Sequence, residues 1–308
     1  MTQKRPAIAY VWIVLKGMAM GAADVVPGVS GGTIAFISGI YDELLESINA
    51  IGFGLIKTFK EQGLKGVWQT INGNFLLALF SGILISVLSL VKLLSYWLQK
   101  EPVLVWAFFF GLIVASIIYV VRQVKDWRIA TYIALVLGIV LSYAIVSISP
   151  AVNNSPGVLY LMMSGAIAVC AMILPGISGA FILVLLGVYA FVLNAVHTFD
   201  ITSIVWLGLG AIIGLLTFAR LLKFLLTKYR AVTLAALTGI IIGSLNKIWP
   251  WKKVVKQITV EDKIIVLKDK SVLPFDYPGE SHVLLAVLLA VVGFAIIIIL
   301  EKWAQKTP

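Results

Sequence analysis

Apolar residues run along this chain in long blocks, not in the alternating pattern of strands or the one-sided pattern of soluble helices. Six blocks reach the roughly 20 residues that a helix needs to cross a ~30 Å hydrocarbon layer. They are 74–98, 103–121, 129–149, 201–226, 231–249 and 282–300. Two further regions are interrupted. Arms 7–23 and 31–50 flank Pro27-Gly28-Val29-Ser30-Gly31, and arms 158–173 and 179–196 flank Pro175-Gly176-Ile177-Ser178-Gly179. An arm of about 16 residues is ~25 Å long as a helix. The arm after the first break carries Asp42, Glu43 and Glu46, which speaks against a full crossing. Both regions therefore predict re-entrant helical hairpins, over 7–50 and 157–197. The second is wholly apolar and also compatible with two short spans. Segment 52–70 mixes Phe53, Ile56, Phe59 and Trp68 with Lys57, Lys60 and Lys65, and predicts an amphipathic helix on the membrane surface. Within the loop 250–281, alternation over 258–268 predicts a small hairpin.

Composition agrees. Of 308 residues, 61% are hydrophobic and 12% charged; a soluble domain is nearer 45–50% and 25%. With no water to satisfy the backbone, helices are the expected spanning elements, and the short alternating segments of a β-barrel are absent. The predicted fold class is an all-α integral membrane protein.

The net charge of +10 changes the picture in one way. Lys and Arg gather at 4–5, 57–65, 122–128, 223–230 and 302–306. If each hairpin returns to its own side and both termini are cytoplasmic, all five groups face the cytoplasm, as positive loops do. The long loop 250–281 is then extracytoplasmic. Charge so placed calls for membrane lipids, not nucleic acid. Cys170 is the single cysteine, and His197 and His282 stand 85 positions apart, so no metal site is expected.

The halves repeat. A separation of 148 relates Gly17 to Gly165, Pro27 to Pro175, Ser30 to Ser178, Gly31 to Gly179, Gly39 to Gly187 and Tyr41 to Tyr189. Farther on, a separation of 128 relates Gly82 to Gly210, Lys92 to Arg220 and Gly111 to Gly239. Units 1–150 and 151–308 would each hold one hairpin and three transmembrane helices. An odd number of crossings inserts them oppositely, as an inverted repeat of the kind found in secondary transporters.

The breaks carry the candidate chemistry. Pro27, Gly28, Pro175 and Gly176 stop a helix, and Ser30 and Ser178 suit the caps of the helices that follow. Free amides at Ser30, Gly31, Gly32, Thr33, Ser178 and Gly179 would form paired helix N-termini, which attract anions such as phosphate. Arg220 and its mate Lys92 are candidate phosphate partners, although a lysine near a helix end also snorkels. Asp24 sits just before the first break, where its repeat mate is Met172. It is either a coupling site for H⁺ or Na⁺ or a cap for the broken backbone. Gly39 and Gly187 are expected at points of close packing. No catalytic residue and no cofactor are indicated, and oligomeric state is not readable.

The run Ala23-Asp24-Val25-Val26-Pro27-Gly28-Val29-Ser30-Gly31-Gly32-Thr33, then Gly39-Ile40-Tyr41 and Leu174-Pro175-Gly176-Ile177-Ser178-Gly179, resembles the bacterial polyprenyl-phosphate (undecaprenyl-phosphate) transporter family. The resemblance covers nearly the whole chain. It implies a cytoplasmic-membrane flippase that returns undecaprenyl phosphate from the outer to the inner leaflet for envelope polymer synthesis. A rival likeness is to membrane undecaprenyl-pyrophosphate phosphatases, with Pro-Gly-x-Ser-Arg-Ser-x-x-Thr; here Gly31 and Gly32 stand where that motif has Arg and its second Ser. A secondary transporter of a small anion is the other alternative.

Overall fold

A computed structural model describes residues 5–25, 29–52, 54–148, 153, 155–260 and 263–304. Pro27 and Gly28 lie outside the described residues, as does the side chain of Lys92. The helices are α1 (Ala7–Val25), α2 (Gly31–Ile37), α3 (Tyr41–Asn49), α4 (Gly54–Thr70), α5 (Gly73–Lys100), α6 (Pro102–Gln123) and α7 (Ile129–Ser147). They continue as α8 (Val158–Ile173), α9 (Gly179–Leu185), α10 (Tyr189–His197), α11 (Ile201–Lys228), α12 (Arg230–Ser244) and α13 (Val283–Ala304).

Among the described residues, α1, α5, α6, α7, α11 and α12 are long and apolar enough to cross a membrane, and the bent pair α9–α10 would make a seventh. The protein is therefore a multi-pass helical membrane protein. Leu284 is 81% exposed and Leu88 72%, a surface that only lipid would cover without penalty.

Two expectations about the arms need correction. The second arms are not single helices. Gly39 and Gly187 both take φ +74, a left-handed conformation that ends a helix and that glycine adopts without strain. Helices α9 and α10 consequently meet at 110°. Nor is Gly39 a point of close packing, since a Cβ there would meet nothing within 4 Å.

Outside the helices, β1 (Lys252–Val260) pairs antiparallel with β2 (Lys263–Ser271). The hairpin is longer than 258–268, and the fold is not purely α. Its base is pinned to the turn after α12. Trp249 Nε1 donates to Val272 O (2.9 Å) and Ser271 Oγ to Asn246 Oδ1 (2.7 Å).

Close approaches recur at matched places. A Cβ on Gly17 would strike Leu79 O, and one on Gly165 would strike Leu207 O. Gly82 abuts Val14 O as Gly210 abuts Met162 O. These contacts seat α1 on α5 and α8 on α11 by the same residue-sized grooves that small side chains give membrane helices. The remaining spans interlock across the halves. Gly111 meets Ala290 O and Gly239 meets Leu135 O, while Gly293 meets Phe108 O and Gly138 meets Ala236 O. Helix α6 therefore packs on α13 and α12 on α7. Gly138 and Gly293 differ by 155, so a third separation, shifted by the β hairpin, relates the last spans.

Candidate functional site

The first break ends in a cap. Ser30 is extended (φ −120, ψ 130), and its Oγ accepts from Gly32 N at 3.1 Å. Asp24, in the last turn of α1, accepts from Gly31 N at 2.7 Å through Oδ1. Thr33 N donates to Ser30 O (3.0 Å). The amides expected to be free at Gly31, Gly32 and Thr33 are thus all engaged. A buried N–H without a partner costs about 1–3 kcal/mol, and Asp24 and Ser30 remove that cost within their own hairpin.

The first break is also bonded to the second. Ser30 Oγ lies 3.2 Å from both Met172 O and Leu174 O, to which its proton can be donated. Gly176 N donates to Thr33 Oγ1 (2.9 Å), and Tyr41 Oη donates to Ile173 O (3.0 Å). Ser30 and Thr33 are fully buried. A polar seam made of two hydroxyls, a phenol and three carbonyls therefore joins the two breaks, buried among apolar helices.

Glycines set how close this seam can be. At Gly32 a Cβ would come 2.6 Å from Ile173 O and 2.8 Å from Met172 O; at Gly31 it would meet the Asp24 carboxylate at 2.5 Å. The arginine and serine of the phosphatase motif have no room at these positions. Gly176 turns with φ +93 against Ile241 of α12.

The second break is built differently. Ser178 makes no side-chain cap bond, and a Cβ on Gly179 would come 2.8 Å from Ala168 O and 3.3 Å from Met172 Cβ, where one on Gly31 would meet the Asp24 carboxylate. Of the predicted phosphate residues, Ser30, Gly31, Gly32 and Thr33 are brought against the segment 172–176 that precedes Ser178 and Gly179.

Arg220 lies elsewhere. It is exposed on α11, its Nη2 donates to Ile51 O (3.4 Å), and it closes one side of an apolar groove of about 390 Å³. Leu55 and Ile56 of α4 and Ile213 and Leu216 of α11 form its walls. Lys16 donates to Ser38 O (2.7 Å) at the end of α2, where a cation suits the helix dipole.

The acidic arm leaves Asp42 and Glu46 exposed, and Glu43 is half-buried. Glu43 pairs with Arg5 (2.9 Å) and accepts from Asn72 Nδ2 (2.7 Å), and Asp42 faces Arg230 (3.6 Å). Asp42, Arg230, Tyr41 and Tyr119 line a cavity of about 200 Å³ beside Gly39. Among the described residues, no three His, Cys, Asp or Glu side chains gather in a way that would hold a metal. Sequence reasoning missed the carbonyls of 172–174, since main-chain acceptors carry no residue signature. Tyr41 was marked by its repetition as Tyr189, which is a usable signal for a role at the seam.

Residues 20–265 match a family model described as undecaprenyl phosphate translocase-like. The chain is similar to a polyprenyl-phosphate transporter of Vibrio cholerae, 46% identical over 302 residues, 96% of this chain and 98% of the relative. It is also similar to a polyprenyl-phosphate transporter of Staphylococcus aureus, 29% identical over 260 residues, 78% of this chain and 87% of the relative. No solved structure matches it significantly.

Proposed function

The chain belongs to the undecaprenyl phosphate translocase-like family, and from that premise we propose that it returns undecaprenyl phosphate from the outer to the inner leaflet of the bacterial cytoplasmic membrane. The observation that carries this proposal is the buried polar seam between the two breaks. It is a hydrogen-bonding path of the kind a charged head group needs and a polyprenyl tail does not. The tail stays in lipid while the phosphate crosses between the tips, exchanging for the bonds that Ser30, Thr33 and Tyr41 now make to 172–176.

The architecture proposed for this work is an inverted repeat, units 1–150 and 151–308, each with a re-entrant hairpin and three spans. Both termini are cytoplasmic. The matched glycine contacts of α1–α5 with α8–α11, and the reciprocal α6–α13 and α7–α12 pairs, support it. Alternating access then rocks one hairpin against the other, with Gly39 and Gly187 as bends within the arms. The apolar walls of the groove under Arg220 suit a prenyl chain beside a guanidinium that suits phosphate. Asp24 is the candidate for coupling to H⁺ or Na⁺. Phosphate is carried, not cleaved, because glycine stands at both positions where the phosphatase motif supplies Arg and Ser.

The test is flipping of labelled polyprenyl phosphate in proteoliposomes by the native protein, Ser30→Ala and Arg220→Ala. Native flipping above empty liposomes, slowed about tenfold or more by either substitution, is expected, since bonds to a charged group contribute ~1.5–3 kcal/mol. No native flipping, or hydrolysis of polyprenyl pyrophosphate by the purified protein, would sink the proposal. Equal rates in all three proteins would leave the transport and remove these two residues from it.

A further inference from the structure

At the far end of α12 from Arg230, two lysines converge on one carboxylate. Lys247 Nζ lies 3.2 Å from Asp269 Oδ1 and 3.1 Å from Oδ2, and Lys252 Nζ lies 3.7 Å from Oδ2. These are not surface ion pairs. The side chains of Lys247, Lys252 and Asp269 are 11%, 9% and 20% exposed. Aromatic rings wall the site. Lys252 Nζ sits 3.6 Å from the centroid of Trp106 on α6, and Lys247 Nζ sits 5.1 Å from that of Phe181 on α9. Lys252 also donates to Lys247 O at 2.7 Å.

Among the described residues, two lysine side chains share one carboxylate, and a buried surplus of positive charge is costly. Burial pulls the Lys252 ammonium down to about 7, against the opposing pull of Asp269, with Lys247 lowering it further. A phosphate monoester carries about −1.5 to −2 near neutral pH and offers three acceptor oxygens. It neutralises the pair better than Asp269 does. Position matters as well. Phe181 is the repeat mate of Thr33 in the polar seam, two residues into the helix that starts at Gly179. The lysines thus stand beside the second tip, under the β hairpin. The corresponding place at the other end of the bundle is the cavity lined by Tyr119 and Leu234, whose repeat mates are Lys247 and Trp106. At one end this place is a cavity of about 200 Å³; at the other it holds the lysines and a carboxylate borne on β2.

We infer that Lys247 and Lys252 form the receiving site for the phosphate monoester head group of the lipid on the extracytoplasmic side, with Asp269 occupying it in the ligand's absence. The inference rests on the transport proposal above and deepens it. Loading exchanges one anion for another. The head group takes the lysines, and Asp269 is released with its strand toward water. The aromatic walls exclude water from the exchanged pair, which strengthens it.

The experiment measures binding of farnesyl phosphate, a short isoprenoid monophosphate, to the full-length protein in nanodiscs. Inorganic phosphate and the uncharged alcohol are run in parallel. Lys252→Gln and Lys247→Gln are expected to weaken farnesyl phosphate binding about tenfold or more. Asp269→Asn removes the competing anion and is expected to tighten binding. A misfolded variant cannot mimic that opposite sign. Inorganic phosphate that competes with farnesyl phosphate shows recognition of the head group. Inorganic phosphate that binds while the lipid monophosphate does not overturns the lipid assignment. Unchanged binding in both lysine variants, or weaker binding in Asp269→Asn, overturns the inference. The two failures are separable by flipping: native proteoliposomes that flip polyprenyl phosphate with lysine variants at the native rate defeat this site alone, and native proteoliposomes that do not flip defeat the transport proposal itself.

Discussion

The two breaks share a sequence pattern and differ in what satisfies them. At the first, a carboxylate and a serine from the same hairpin hold the amides of Gly31 and Gly32, and Ser30, Thr33 and Tyr41 reach across to the second. At the second, a thioether replaces the carboxylate, Ser178 makes no cap bond, and the segment 172–176 supplies mainly carbonyls to its partner. The first tip is a donor of side chains, the second a donor of backbone. Matched glycine contacts on either side thus flank an asymmetric joint. The bonds between the tips are made by side chains of the first and, at the second, by main-chain groups of 172–176.

Glycine at 32 gives the sharpest way to break that comparison. Gly32→Ala places a Cβ 2.6 Å from Ile173 O, a main-chain atom that cannot rotate away. A thermal melt in detergent is expected to report a loss of about 3 kcal/mol, with flipping lost as well. The repeat mate Ala180 is exposed, and Ala180→Gly should cost no more than the ~1 kcal/mol of helix propensity. Equal shifts in the two variants would mean that the tips meet through looser contacts than these.

Asp24 comes next. Asp24→Ala leaves the Gly31 N–H unpaired, for an expected loss of about 2 kcal/mol in the same melt, whereas Asp24→Asn keeps an acceptor and most of the stability. Met172→Ala, at the mate position, removes no polar partner and should fall well below that. The same pair sharpens the coupling proposal. If Asp24 carries the coupling ion, Asp24→Asn folds but loses the dependence of flipping on a H⁺ or Na⁺ gradient. Native flipping that is indifferent to both gradients would leave Asp24 as a cap and nothing more.

Much of this scaffold was readable because lipid demands it. Spans such as α5 and α11 must be long apolar runs, and the breaks must show Pro and Gly, so both could be placed from residues alone. The splits at Gly39 and Gly187 escaped because left-handed φ is a property of one backbone position inside an apolar stretch, although Gly-Ile-Tyr and Gly-Val-Tyr repeat there. The correspondence of the last spans escaped because the β hairpin resets the spacing to 155, and only the reciprocal contacts of Gly138 and Gly293 reveal it. The seam was half legible: Ser30 and Thr33 announce themselves, and the carbonyls they bind do not. Asp24 was marked as either a cap or a coupling group, and its bond to Gly31 establishes the first without deciding the second.

Serine supplies the smallest and cleanest contrast. Ser30 and Ser178 stand at the same place in the two motifs, both with extended backbone, φ −120 and −90. Only Ser30 accepts from the amide two residues on. Its loss in Ser30→Ala therefore removes a cap, typically ~1 kcal/mol, along with the hydroxyl's bond to the 172–174 carbonyls. Ser178→Ala should change the melt by a few tenths of a kcal/mol at most, since no cap bond is lost. The order matters more than the size. If Ser178→Ala proves the costlier, the second tip is the one held by its own side chains, and the donor and acceptor roles of the two breaks are reversed.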